Sequence, residues 1–254
     1  MERLSDLEGR YIGVQLQGAT RTWDLYVDCN ETYLKLPLLC LAAPRGLLAH
    51  VGYSGIVCVN DGQGLSLDPE RHSDIVAYTV LAGYDLLERS ASDAASGMDE
   101  FFNELEGYWL GLPNSLRGRA AFEVDGKDRR LTGYVNTQST PQRWYFTERN
   151  TPPPPEFYAG KLAGQRALYV HLDELPTPPA HPDKLSASFI EAVHARLSAA
   201  QLELWSKLVG PSKNGPKILT LLISVPRAAG GRSLVGAVFR ANRGVIDTKA
   251  EVVP

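Results

Sequence analysis

The sequence has no excess of basic charge. Its 26 Lys and Arg are outweighed by 29 Asp and Glu, giving a formal charge of −3. No electrostatic footprint for a phosphate backbone is present, so no nucleic acid is expected as a partner. Long apolar runs are missing too. The longest, Leu36 to Pro44, has nine residues and is closed by Arg45, against the roughly 20 that cross a bilayer, so no membrane is expected as a partner either. The opening Met-Glu-Arg-Leu-Ser-Asp-Leu-Glu lacks the charged-then-apolar pattern of a secretory signal. Cysteine is scarce: Cys29, Cys40 and Cys58 form no CxxC pair and leave one over after any pairing. A secreted disulfide framework is disfavoured, and a reducing, cytoplasmic location is expected. No two His or Cys residues fall at short ligand spacing, so no metal and no cofactor is expected.

What is there suits a packed core. Hydrophobic residues make up 44% of the 254 and charged residues 22%, which fits one large domain or two small ones. Glycine (23) and proline (17) are plentiful and point to many turns rather than a helix bundle. The texture changes near residue 112. Before it, residues 11–17, 22–27 and 33–41 read as an antiparallel meander of three strands. Residues 42–68 follow with five glycines and little periodicity. Compact domains rarely keep so long a loop without using it.

Asp68-Pro69 or Ser73-Asp74 then starts a helix, with Ile75, Val76, Thr79, Val80, Gly83, Leu86 and Leu87 on one face. A second helix from about Ser96 carries Met98, Phe101, Phe102, Leu105 and Trp109, and Gly111-Leu112-Pro113 stops it. Asp99 and Glu100 in its first turn favour the helix dipole.

Beyond residue 112, residues 119–124 and 130–136 flank Asp125-Gly126-Lys127-Asp128 and predict a hairpin. Residues 144–147 extend the sheet, and Thr151-Pro152-Pro153-Pro154-Pro155 reads as a stiff extended connector. A strand at 167–172, a helix from about 185 to 208 and strands at 217–225 and 233–240 complete an α+β module. His181-Pro182-Asp183 reads as the start of that long helix, with Asp183 or Ser186 as cap. The final residues look like the interior of an element, which leaves open both a natural stop at Pro254 and a longer chain.

Cys58 is the residue with chemical promise. Apolar neighbours and flanking glycines surround it in Ala49-His50-Val51-Gly52-Tyr53-Ser54-Gly55-Ile56-Val57-Cys58-Val59-Asn60-Asp61-Gly62. A thiol at a loop edge accepts an acyl group without a metal, because sulfur is a good nucleophile as thiolate. The alternative is a small core residue in a short buried strand, since unpaired cysteine is among the most buried types. His72 and Asp74 with Cys58 would supply the residue types of a cysteine-hydrolase triad, but they are only two positions apart. Cys29 and Cys40 fall in predicted strands and read as structural.

The order of three strands, a loop holding Gly55-Ile56-Val57-Cys58, then Leu67-Asp68-Pro69 and a helix resembles the ubiquitin-conjugating enzyme family. Leu36-Pro37-Leu38-Leu39-Cys40-Leu41 is similar to its Pro-containing strand. His50 stands where the His of its His-Pro-Asn loop would be, and Gly55 lies three before Cys58. The chain departs from the pattern at Val51 and Gly52, which replace Pro and Asn, and in a His-to-Cys spacing two residues shorter. Those departures, and the helix ending in Tyr108-Trp109, resemble divergent bacterial conjugating-enzyme-like proteins found with or fused to a ubiquitin-activating-type adenylyltransferase.

The resemblance implies an α+β fold: a UBC-like antiparallel meander with helices over 1–112, then a second α+β linker or docking domain over 113–254. It implies that Cys58 takes a ubiquitin-like protein as a thioester from the activating enzyme and passes it to an amine. Antiviral defence is the setting it suggests. The family's oxyanion-binding Asn is missing; Asn60, or backbone N–H groups around Gly55 and Gly62, are the substitutes at hand. His50 would orient the loop through a backbone hydrogen bond. A catalytically inactive scaffold that binds a ubiquitin-like partner non-covalently remains the second reading, kept open by the altered His-Val-Gly loop.

Overall fold

The computed structural model describes residues 11–28, 36–42, 48–52, 54–60, 66–112, 117–136, 138, 143–148, 151–155, 162–174, 191–209, 217–227, 229–242 and 245–253. The expectations for Cys29, Gly62 and residues 33–35 and 181–190 lie outside them. The chain divides into two compact units, Met1–Glu104 and Leu105–Pro254, and its secondary structure is mixed α+β. Among the described residues no helix is long and apolar enough to cross a membrane.

The first unit holds one antiparallel sheet in sequence order: β1 (Tyr11–Gln17), β2 (Thr22–Asp28), β3 (Leu39–Leu41) and β4 (Ile56–Val57). Strand β2 shows why it forms. Trp23, Leu25 and Val27 alternate with more exposed residues, so one pleat face is buried. The helix α1 (His72–Ser92) covers that face, and its Val80 and Leu87 join Trp23, Leu25, Val27, Leu39 and Val57 in one core cluster. Glu88 of α1 accepts hydrogen bonds from the Trp23 indole N–H and the Ala19 amide, fixing the helix to the β1–β2 turn. Those bonds, the Ala19 amide first, hold the Glu88 carboxyl below the ordinary carboxylate range.

Three expectations change here. The meander has a fourth strand, the two-residue β4, and the third is regular only over Leu39–Leu41. Helix α1 starts at His72, and its N-cap Arg71 makes no side-chain capping bond. Asp68 closes only a turn, accepting the Glu70 N–H at 3.0 Å. The single helix expected through Trp109 is two helices, α2 (Ala94–Asn103) and α3 (Leu105–Leu110), broken at Glu104.

The second unit is a seven-stranded sheet built from β5 (Arg117–Ala121), β6 (Arg129–Asn136), β7 (Arg143–Glu148), β8 (Leu162–His171), β9 (Lys217–Pro226), β10 (Arg232–Asn242) and β11 (Val245–Val253). Their spatial order is β11-β10-β9-β8-β6-β7-β5. Leu168, Tyr169 and Val170 are buried in succession, as are Leu221, Leu222 and Ile223. Such runs belong to central strands covered on both faces. One cover is α3, whose Trp109 indole N–H donates to the Gly236 carbonyl at 2.8 Å. The other is α4 (Ala199–Val209), which packs on β8 and β9 through Trp205 and Leu208.

The hairpin expected across Asp125-Gly126-Lys127-Asp128 does not form. Strand β6 has β7 on one side and β8 on the other, so it offers β5 no vacant edge. Instead β5 pairs in parallel with β7, and the following Phe122 packs its ring against Tyr169, centroids 5.0 Å apart. Asp128 is drawn away from a hairpin turn, since its carboxylate accepts the His171 amide at 2.7 Å and the Gln201 side-chain N–H at 3.0 Å.

The long helix expected to reach residue 208 is also interrupted, at 195–198. Ser198 caps a new helix: its Oγ accepts the Gln201 amide at 3.3 Å while Gln201 Oε1 accepts the Ser198 amide at 2.8 Å. This reciprocal pair is a capping box, which satisfies two otherwise orphaned N–H groups and fixes a helix start. It is legible as Ser-x-x-Gln in Ser198 to Gln201.

Candidate functional site

Cys58 follows directly on β4 and is exposed. Burial alternates around it: Val57 is buried, Cys58 exposed, Val59 half-buried against the core cluster, and Asn60 exposed. The buried-strand alternative for Cys58 is therefore removed. Both hydrophobic neighbours turn inward, and the thiol is left on the solvent side. Cys40, one strand away, differs. It is half-buried, and burial first, then the charge of Asp28, pushes its thiol above the usual cysteine range. Neither residue is disulfide-bonded.

The segment before Cys58 is held by its own backbone. The Gly55 N–H closes a turn on the Gly52 carbonyl at 2.9 Å, and the Gly52 N–H returns to Ile56 O at 2.8 Å. Leu41 donates to Gly55 O at 2.8 Å, tying the turn to β3. Gly55 has φ of 85°, a left-handed conformation that glycine adopts without a Cβ penalty. These bonds remove Gly55 from the set of oxyanion donors, because its amide is already donated. The Cys58 N–H is likewise donated, to the His50 carbonyl at 2.7 Å.

His50 is the anchor of this arrangement. Its φ is 61°, an uncommon left-handed value for a residue with a Cβ, and strain of this kind persists only where surrounding contacts enforce it. The enforcing contacts come from α2 and the residue after it. Imidazole Nδ1 lies 2.8 Å from a Glu104 carboxylate oxygen and Nε2 lies 3.4 Å from one of Glu100. With both ring nitrogens facing carboxylates, the doubly protonated imidazolium is favoured. The Glu104 hydrogen bond chiefly raises the His50 pKa, opposed by burial and reinforced by the charges of Glu104 and Glu100.

The sequence reading used Glu100 only as a dipole partner and missed Glu104. The signal available was their i, i+4 spacing, which places both carboxylates on one side of a helix. His50 holds the Cys58 N–H through its backbone carbonyl, and its ring adds a tie to Glu100 and Glu104. Asp74 is committed elsewhere, in an ion pair with Arg71 at the start of α1, and His72 lies exposed beside it. Among the described residues no three His, Cys, Asp or Glu side chains are grouped to hold a metal ion.

The His50 tie carries a pH signature. Its folded pKa is raised, so its contribution to stability is complete below the ordinary value of about 6.5 and is lost as pH rises through the raised one. Hydrogen exchange at the Cys58 amide is expected to speed up relative to the global rate across that window, and Glu104→Gln is expected to flatten the dependence. A His50 titration midpoint by NMR at or below 6.5 would show that the carboxylates do not hold the ring.

Compared with known proteins, the chain matches no family model, no curated protein and no solved structure.

Proposed function

We propose that the first unit is a bacterial ubiquitin-conjugating-like module that carries a ubiquitin-like protein as a thioester on Cys58 and transfers it to an amine, working with a ubiquitin-activating-type adenylyltransferase. The observation that carries this reading is the exposed Cys58, set at the end of a short edge strand by a loop that His50 pins down. Access to a flexible acyl tail is the first requirement of such a carrier. The order of a four-stranded antiparallel sheet, the cysteine and then helix α1 supports the same reading.

The chemistry is an exchange of sulfur for sulfur. The Cys58 thiol sheds its proton and its sulfur attacks the thioester carbonyl presented by the activating enzyme, which has used ATP to form that bond. A C–S bond to Cys58 forms, the tetrahedral oxyanion collapses, and the activating enzyme's sulfur leaves and takes up a proton. An acceptor amine next attacks the same carbonyl; the C–N bond forms, the C–S bond to Cys58 breaks, and the thiolate takes the proton that the amine sheds. Asn60, exposed two residues after Cys58, is the side chain assigned to the oxyanion. A well-placed donor of this kind is worth about 2.7–4 kcal/mol.

Incubation with an activating enzyme, ATP and a ubiquitin-like protein from the same genome tests this. A protein adduct that disappears under reducing agent and is lost in Cys58→Ala is expected. Asn60→Ala should keep the adduct and slow its discharge to an amine by about 10²–10³-fold. Stable binding of the ubiquitin-like protein by both the parent and Cys58→Ala, with no adduct in either, would replace the carrier by a non-covalent scaffold. Release of a product from a ubiquitin-like substrate without ATP would make it a hydrolase instead.

A further inference from the structure

We propose that the second unit binds a phosphate-bearing small molecule in the concavity between β6, β8 and the end of α4, held by Arg130, Arg166 and Lys207. The concavity is about 410 Å³ and is lined by these three cations together with Thr132 and Leu208. Such a volume falls within the range of small-molecule sites.

The β6–β8 register explains why the charges converge. Arg130 pairs with Leu168 and Thr132 with Arg166, so the two arginines are diagonal neighbours on one face of the sheet. Diagonal neighbours lie about 7–8 Å apart, within reach of two long side chains meeting on one ligand. Helix α4 brings Lys207 over the same face.

Like charges at adjoining strand positions are destabilising when nothing offsets them, and the offset here is partial. Glu203 faces the group, ion-paired with Lys207 and lowered in pKa mainly by that bond, with a lesser contribution from the Arg130 charge. Three cations against one carboxylate leave two positive charges. Among the described residues neither the Arg130 nor the Arg166 guanidinium lies within 4.0 Å of a carboxylate. Three other arginines of this unit show the contrast. Arg129 sits on Asp125 and Glu148, Arg196 on Glu174, and Arg227 on Glu106.

Two uncommitted guanidinium forks, an ammonium and a hydroxyl in one concavity match a phosphomonoester, whose charge at neutral pH is close to −2. An overall charge of −3 gives the chain no general attraction for anions, so binding here would be local.

The test is calorimetric titration of the full chain at low salt with adenosine monophosphate, inorganic phosphate and adenosine. Saturable binding of adenosine monophosphate is expected, weakening as salt rises, absent for adenosine, and reduced at least tenfold in Arg130→Gln/Arg166→Gln. Equal binding of inorganic phosphate would assign recognition to the phosphate alone, and tighter binding of the nucleotide would assign part of it to the organic group. Both arginines are exposed, so the unliganded double variant should unfold at the same midpoint or above it; Lys207→Gln, expected to weaken binding as well, provides a second route should it not fold. The proposal is overturned if neither phosphate compound binds saturably or if binding survives the double variant unchanged.

Discussion

Trp109→Ala is expected to lower the unfolding free energy of the second unit by about 3–5 kcal/mol, the usual range for deleting a large buried aromatic side chain. Trp109 is fully buried, and its indole N–H donates to the carbonyl of Gly236 in β10. Truncation leaves a cavity and an unpaired carbonyl together. The position of Gly236 makes the loss hard to repair. A Cβ there would stand 2.7 Å from a Leu222 methyl and 2.8 Å from the Leu221 carbonyl, so β10 has no side chain to move into the space.

Trp109→Phe separates the two contributions. It keeps most of the ring and loses only the donor, which is worth about 1–3 kcal/mol when its acceptor stays buried. Chemical denaturation of the two variants reads the difference. A cost below about 1 kcal/mol for Trp109→Ala would mean that α3 is not seated on the sheet as described.

Gly83→Ala is expected to destabilise the first unit, against helix propensity. In a free helix the change would stabilise by roughly 1 kcal/mol. In α1 the added Cβ would fall 2.1 Å from a methyl of Leu39, a side chain that is only 1% exposed. Overpacking of this kind costs about 1–3 kcal/mol, and so deep an overlap puts the cost at the upper end, where it outweighs propensity. Val59 also lies near, 3.4 Å from the added atom, so the strain reaches the residue next to Cys58.

A double-mutant cycle with Leu39→Ala checks the mechanism. Removing the Leu39 methyls should cancel most of the penalty, leaving the two changes strongly coupled. If Gly83→Ala alone raises the unfolding midpoint, the helix does not approach β3 this closely.

Much of the fold was legible because it is local. The alternation of Trp23, Leu25 and Val27 announces a strand with one buried face, and Ile75, Thr79, Val80 and Leu87 announce the core side of α1. Errors came where the outcome depended on a competitor elsewhere in the chain. Residues 117–121 have strand character whichever neighbour they find; they pair with β7 because β6 is already flanked on both sides. The break before Ala199 was overlooked although Ser198 and Gln201 advertise it, since a helical pattern of apolar residues runs through the interruption.

The candidate site divides along the same line. By itself the sequence determined that a cysteine follows a glycine-rich turn, with a His eight residues before it and an Asn two after it. Tertiary structure alone decided that this cysteine faces solvent, that the Gly55 amide is spent inside its turn, and that His50 answers to Glu100 and Glu104 some fifty residues away. Periodicity travels with the chain and can be read along it. Exposure and ion pairing depend instead on which distant segments arrive to cover a surface or supply an opposite charge, and that is settled only when the chain packs.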